Sequence, residues 1–367
     1  MTRPAWSDVC AGKFELSPLG DLSSLPQRQT EWRTRFASDF YGPIPAPPTS
    51  LDVTSHEVPG DRATRIRLRV NEGFKVDAAL WRPLHNRPAP LICGLSFTGP
   101  IGVLGGTSFP IDPDARVYSR PELGAPDNRL HDILRGTEAH RWPIDTLTSA
   151  GFAVLISCYG SWAPDEPASF ARHGLRPVLH TETGAISLWA WAIIRLLDAA
   201  ERVPGIITTD AIVAGHSRLG KAALWAAAND MRIGTVFANE AGCGGTAPAA
   251  HKIGETLNQM KEAFPHWLCN RDPSFDLDQH HLMATIAPRQ LYIASAEEDV
   301  WADPIGTYTA LTAASAAWNE NANWPMPKDM WHSHGPTHFA RLGHHLRPGK
   351  HELLPEDWDN FLKFLGK

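Results

Sequence analysis

Ser217, Glu240, Asp299 and His351 are the residues of this 367-residue chain whose types could share one reaction. A serine hydroxyl is a poor nucleophile until a base takes its proton, and a histidine serves as that base when a carboxylate holds its other ring nitrogen. Ser217 stands in "AIVAGHSRLGKAALWAAA" (211–228), where an apolar run gives way to an alanine-rich helical pattern. Such a strand–turn–helix elbow exposes the hydroxyl at a sheet edge, with backbone N–H groups at hand for an oxyanion. Gly215 precedes the serine by two, Leu219 takes the place of the second glycine of G-x-S-x-G, and Gly220 follows one later. The alternative use of such a serine is as the N-cap of an ordinary helix. Arg218 and Lys221 fall in the first helical turn, where the positive end of the dipole disfavours each cation by about 0.3–1 kcal/mol. Their placement asks for negative charge nearby.

The base is sought downstream, because hydrolases built on this kind of elbow run serine, acid, histidine along the chain. His332, His334, His338, His344, His345 and His351 are the candidates. His351 follows Gly349 and Lys350 just before a helix announced by Pro355, Glu356 and Asp357, and it is the preferred base, with His345 second. Most of the remaining histidines are read as loop or surface residues. Their spacing contains no HExxH and no interleaved carboxylates, so neither a metal nor another cofactor is expected. For the acid there are two candidates: Glu240 in "ANEAGCGG" and Asp299 in "SAEEDVWADP". The common fate of either taken singly is a solvated strand-end carboxylate.

The elements that must position these groups are five short continuous apolar runs, at 89–97, 151–160, 210–217, 234–242 and 289–299. Runs of this kind are strands buried on both faces, as in a parallel sheet. Helical patterns lie between them, the clearest at 183–203, so the expected architecture is α/β and doubly wound, with right-handed crossovers. Ligands bind such sheets at the C-terminal strand ends, where Ser217, Glu240 and Asp299 fall. Ahead of them, 64–70 and 75–83 with a turn at Asn71, Glu72 and Gly73 read as an antiparallel, half-exposed hairpin. A helix around Thr30–Phe40 and the proline-rich 41–50 precede the hairpin. Residues 1–50 are therefore expected to pack as an N-terminal helix and connector on one catalytic domain spanning 51–367.

Composition narrows the function. With 43% apolar and 20% charged residues the chain can build a large core. A net charge of −6 with scattered Lys and Arg gives no basic footprint, so nucleic acid is not an expected partner. No stretch approaches about 18 apolar residues and the N-terminal twenty hold no signal-type apolar run, so no membrane partner is expected. The expectation is a cytoplasmic protein if the chain is full length, or a periplasmic or secreted one if it has been trimmed. Five cysteines without a CxxC pair suit a reduced protein, with Cys243–Cys269 as one conceivable bridge.

Together, "GHSRLGK", "NEAGCGG", "EEDVWADP" and "RPGKHELLPEDW" resemble the glucuronoyl esterases of carbohydrate esterase family 15, particularly the bacterial branch. The resemblance runs from about "FYGPIPAPP" to the end. It implies an α/β-hydrolase fold, a three-layer α/β/α sandwich with a mostly parallel sheet and an antiparallel N-terminal hairpin. It further implies Ser217 as nucleophile, His351 as base, an acid at Glu240 or Asp299, and Arg218 lending its guanidinium to the oxyanion. Lys221, Glu255 and Trp301 are implied to meet the hydroxyls and ring of a uronic acid. The chain departs from the pattern at "LSFTGPIGVLGG" (95–106) and at "YGSWAPDEP" (159–167), where relatives show an acidic Y-G-D-x-x-P-D. The expected function is cofactor-free hydrolysis of small or oligosaccharide esters of (4-O-methyl-)glucuronic acid, by a monomer or weak oligomer. Its rivals are an acetylesterase acting on acetylated carbohydrates and a catalytically silent carbohydrate-binding protein.

Overall fold

All five apolar runs form parallel strands, and a sixth joins them. The computed structural model describes residues 15–71, 73–269, 276–319, 334–339 and 341–367. Its strands are β1 (Leu51–Glu57), β2 (Thr64–Val70), β3 (Phe74–Trp81), β4 (Ala89–Ser96), β5 (Ala153–Cys158), β6 (Ile206–His216), β7 (Ile233–Asn239), β8 (Gln290–Ala296), β9 (His334–Phe339) and β10 (Leu342–Arg347). They make one sheet of order β1-β2-β3-β5-β4-β6-β7-β8-β10-β9. Neighbours from β5 to β10 pair in parallel, while β1, β2 and β3 at one edge and β9 at the other run antiparallel to their partners. The longer helices are α1 (Leu25–Phe36), α2 (Ala185–Ala200), α3 (Arg218–Asn229), α4 (Pro304–Ala314) and α5 (Pro355–Phe364). This is the α/β-hydrolase fold, an α/β/α sandwich.

Helix α2 is buried almost throughout, because it packs on α3 as well as on β4 and β6. At the other end α5 sits on β8, β9 and β10, with Phe361 stacked on Phe237 of β7 at 4.7 Å between ring centroids. Each such fully buried large side chain contributes about 1.5–3 kcal/mol relative to exposure. The N-terminal helix begins earlier and ends earlier than the sequence suggests. Pro26 occupies its first turn, and Ala37–Tyr41 form a π-helical turn instead of continuing it. Trp32, Phe36, Phe40 and Tyr41 enter the main core, where Tyr41 meets Trp225 of α3 at 5.2 Å.

His344, one of the histidines read as loop or surface, and His345, the second candidate base, lie on β10 and are buried, at 2% and 0% exposure. Cys243 is a buried free thiol, so the conceivable bridge to Cys269 does not form. Among the described residues, no helix is long and apolar enough to cross a membrane.

Register fixes the site. His216 pairs with Asn239, Asn239 with Ala294, and Arg347 with Ala296, so the strands that lead into Ser217, Glu240, Asp299 and the His351 loop end on one edge of the sheet.

Candidate active site

Ser217 has φ 56° and ψ −128°, a conformation that costs a non-glycine residue on the order of 1–3 kcal/mol. The turn is locked by the Ser217 N–H donating to Asn239 O at 2.9 Å and by the Gly220 and Lys221 N–H groups donating to Ser217 O. A Cβ on Gly215 would lie 2.2 Å from Leu219 O, which is why glycine is needed before the elbow. A Cβ on Gly220 would stand 3.0 Å from that of Ala241, so Gly220 takes over the close helix–strand approach one residue later than in G-x-S-x-G. The side chain of Ser217 makes no capping hydrogen bond, so its hydroxyl is not spent on the helix.

His351, 31% exposed at its side chain, lines a cavity of about 290 Å³ with Ser217, Arg218, His216, Phe97 and Tyr118. Its Nδ1 lies 2.6 Å from Asp299 Oδ2 and 3.3 Å from Glu240 Oε2. Neither acid is solvated, which corrects the ordinary expectation for strand-end carboxylates: both are 3% exposed. Asp299 spends its other oxygen on the Ala302 N–H at 3.1 Å. Glu240, at φ 47°, accepts from Arg347 Nη2 at 2.7 Å on one oxygen and from the Glu352 N–H at 2.7 Å on the other. Burial pushes the Glu240 carboxyl well above the usual carboxylate range, the Asp299 charge pushes it the same way, and Arg347 pulls against both. Arg347 itself donates through Nε to Asp357 at 3.0 Å and through Nη1 to Pro348 O at 3.0 Å. His345 closes this network away from Ser217, between Asp357 at 2.8 Å and the Tyr292 hydroxyl at 2.7 Å.

The ring of His216 lies 4.6 Å from that of His351. Burial first, then the charges of His351, Arg141 and Arg347, hold its imidazole well below its ordinary value, so it is neutral and donates Nδ1–H to Asn239 Oδ1 at 2.5 Å. Atoms of His216, Glu240 and His351 lie within 4.8 Å of one another, a spacing that suits a cation. Both Glu240 oxygens, however, face donors, and the Nδ1 atoms of both histidines are already hydrogen-bonded.

Arg218 and Lys221 each have a buried acid. Arg218 Nη1 bonds Asp165, and its guanidinium lies 4.6 Å from the Trp267 ring centroid, 4.9 Å from Phe264 and 5.0 Å from Tyr118. Lys221 Nζ donates to Glu255 Oε2 at 2.6 Å. The Glu255 N–H donates to Trp301 O at 2.8 Å, and Trp301 is 47% exposed, one of few exposed aromatics among the described residues. A larger groove of about 840 Å³ lies around Arg62, Trp142 and Asp145, but none of its lining residues is a serine, cysteine or histidine.

A family model described as "Glucuronyl esterase, fungi" matches residues 178–321. Carbohydrate esterase MZ0003, of an unknown prokaryotic organism, is 30% identical over 363 residues, covering 92% of this chain and 83% of that protein. The chain belongs to the glucuronoyl esterase family. Among solved structures of carbohydrate esterase family 15, a promiscuous esterase from the marine bacterial metagenome superposes with a TM-score of 0.86 at 27% identity, covering 99% of each chain. The glucuronoyl esterase from Solibacter usitatus does so with 0.84 at 28% identity, covering 98% of this chain and 99% of that one.

Within this glucuronoyl esterase scaffold, Ser217, Arg218 and His351 share the cavity, with Asp299 and Glu240 behind the histidine. Lys221 and Glu255 pair with each other beside Trp301, outside the cavity wall. His345 stands apart, and His332 lies outside the described residues. Sequence reasoning missed Asp165, Arg347 and Asp357. The first lay inside "YGSWAPDEP", read there only as a departure, and nothing local marked Arg347 as the partner of Glu240 or Asp357 as the partner of Arg347.

Proposed function

We propose that the protein is a serine esterase that hydrolyses esters on the carboxyl group of glucuronic acid through an acyl-enzyme. The observation that carries this reading is the 2.6 Å contact of His351 Nδ1 with Asp299, made on the wall of the cavity that also holds the elbow serine. With Nδ1–H donated to Asp299, Nε2 is the ring nitrogen left to take the Ser217 proton. Ser217 Oγ then attacks the acyl carbon, and Arg218 donates to the oxyanion. His351 returns the proton to the departing alcohol and next activates water, which releases the uronic acid. Lys221, Glu255 and Trp301 serve the sugar side: the buried Lys221–Glu255 pair adjoins Trp301, whose exposed flat face suits a sugar ring. The uronate itself is supported by the glucuronoyl esterase relatives.

The test is release of free glucuronic acid from benzyl glucuronate, with acetylated xylose and Ser217→Ala in parallel. Turnover confined to the glucuronate and lost in Ser217→Ala is expected. Predominant acetate release would replace the uronate with an acetylated sugar, and turnover by Ser217→Ala would remove the serine mechanism.

A further inference from the structure

Asp165, the acid that Arg218 bonds, is not among the residues that line the nucleophile's cavity. Its side chain is fully buried and surrounded by donors alone. Oδ2 accepts from Arg218 Nη1 and from the Tyr159 hydroxyl at 2.9 Å. Oδ1 accepts from the Trp267 indole N–H at 2.7 Å and from His266 Nε2 at 3.1 Å. Burial would push this carboxyl up, but Arg218 and His266 hold it below the usual carboxylate range. Only a carboxylate satisfies four donors at once, because either orientation of an amide sets its NH2 against two of them.

The rings around Arg218 press on its guanidinium but provide no acceptor that would fix its rotation. Arg218 Nε is buried with no hydrogen-bond partner, so the Asp165 contact at Nη1 is what sets which N–H groups reach the cavity. We propose that Asp165 is a positioning residue for ester hydrolysis, aiming the guanidinium of Arg218 at the oxyanion that forms on the acyl carbon attacked by Ser217. The assignment rests on the reading of Arg218 as an oxyanion donor. A donor fixed before the reaction stabilises charge that appears only in the transition state, so Asp165 acts on turnover and not on substrate binding.

The experiment is a double-mutant cycle on benzyl glucuronate with Asp165→Asn, Arg218→Met and the pair. Asp165→Asn is expected to lower kcat by about 10–100-fold with KM changed less than about threefold, since loss of one oxyanion donor typically costs 10²–10³. In the Arg218→Met background the same substitution is expected to change kcat less than about twofold. Unchanged kcat in Asp165→Asn beside a crippled Arg218→Met overturns the role of Asp165 alone, as does a full further loss in the double variant. Wild-type kcat in Arg218→Met overturns instead the oxyanion reading beneath it. Should Asp165→Asn not fold, Trp267→Phe replaces it, keeping a ring over Arg218 while removing the N–H that holds Oδ1. A kcat loss that vanishes in Arg218→Met supports the proposal, and one that persists there overturns it.

Discussion

Asp299 and Glu240 both face Nδ1 of His351, yet they are tethered in opposite ways. Asp299 is the nearer, at 2.6 Å against 3.3 Å, and has one oxygen dedicated to the imidazole. Glu240 has already committed both oxygens, one to Arg347 and one to the Glu352 N–H. Two carboxylates at one nitrogen are thus not duplicates: the first is placed to hold the tautomer and the second to hold the loop that carries the histidine. Arg347 makes this concrete, since it joins Glu240 to Asp357 in the first turn of α5 and to the carbonyls of Pro348 and Glu352 on either side of His351.

The sharpest way to break the comparison is to neutralise each acid in turn. Asp299→Asn is expected to reduce kcat by about 10²–10⁴ with little change in melting temperature, because the wrong tautomer leaves Nε2 protonated. Glu240→Gln is expected to lower kcat less than about tenfold in steady-state assays. It should instead destabilise the protein by about 1–3 kcal/mol in denaturant titration, because its amide opposes one of two donors and leaves Arg347 undercompensated. Equal kcat losses in the two variants would mean that the acids share the imidazole. The smallest expected effect is in pH dependence. A carboxyl held above its unfolded value binds its proton more tightly when folded, so its contribution is fully present below about pH 4.5 and is lost as pH rises through the raised value. Wild-type stability should therefore fall more steeply with rising pH above 4.5 than that of Glu240→Gln, measured by thermal melts across pH.

The same contrast explains what the sequence made legible. Ser217 and Asp299 could be placed because β6 and β8 are continuous apolar runs with a visible end, and His351 because Pro355 and two acids announce the helix after it. Strand β10, "LGHHLR", breaks that pattern with two histidines and an arginine on a wholly buried strand. His345 and Arg347 are tolerated because Tyr292, Asp357 and Glu240 satisfy them, and these partners come from other elements. Strand β1, mostly exposed at the sheet edge, carries too few apolar residues to announce itself. The choice between Glu240 and Asp299 was open for a related reason: it depends on which acid already has other partners. Asp165 was hidden likewise, since its bond to Arg218 spans 53 residues.

The walls of the cavity come from different parts of the chain. Val117, Tyr118, Ser119, Arg120 and Glu122 belong to the long connection between β4 and β5, while His351, Glu240 and Asp299 are carried by segments that follow β10, β7 and β8. The two meet at Arg141, the residue of that connection that pairs with Glu352 beside His351. A graft within 117–122 that keeps Arg141, whose guanidinium pairs with Glu352 beside His351 and whose carbonyl accepts from the Trp358 indole, can redraw what the cleft admits, which makes that stretch the natural place to reprogram the enzyme's selectivity.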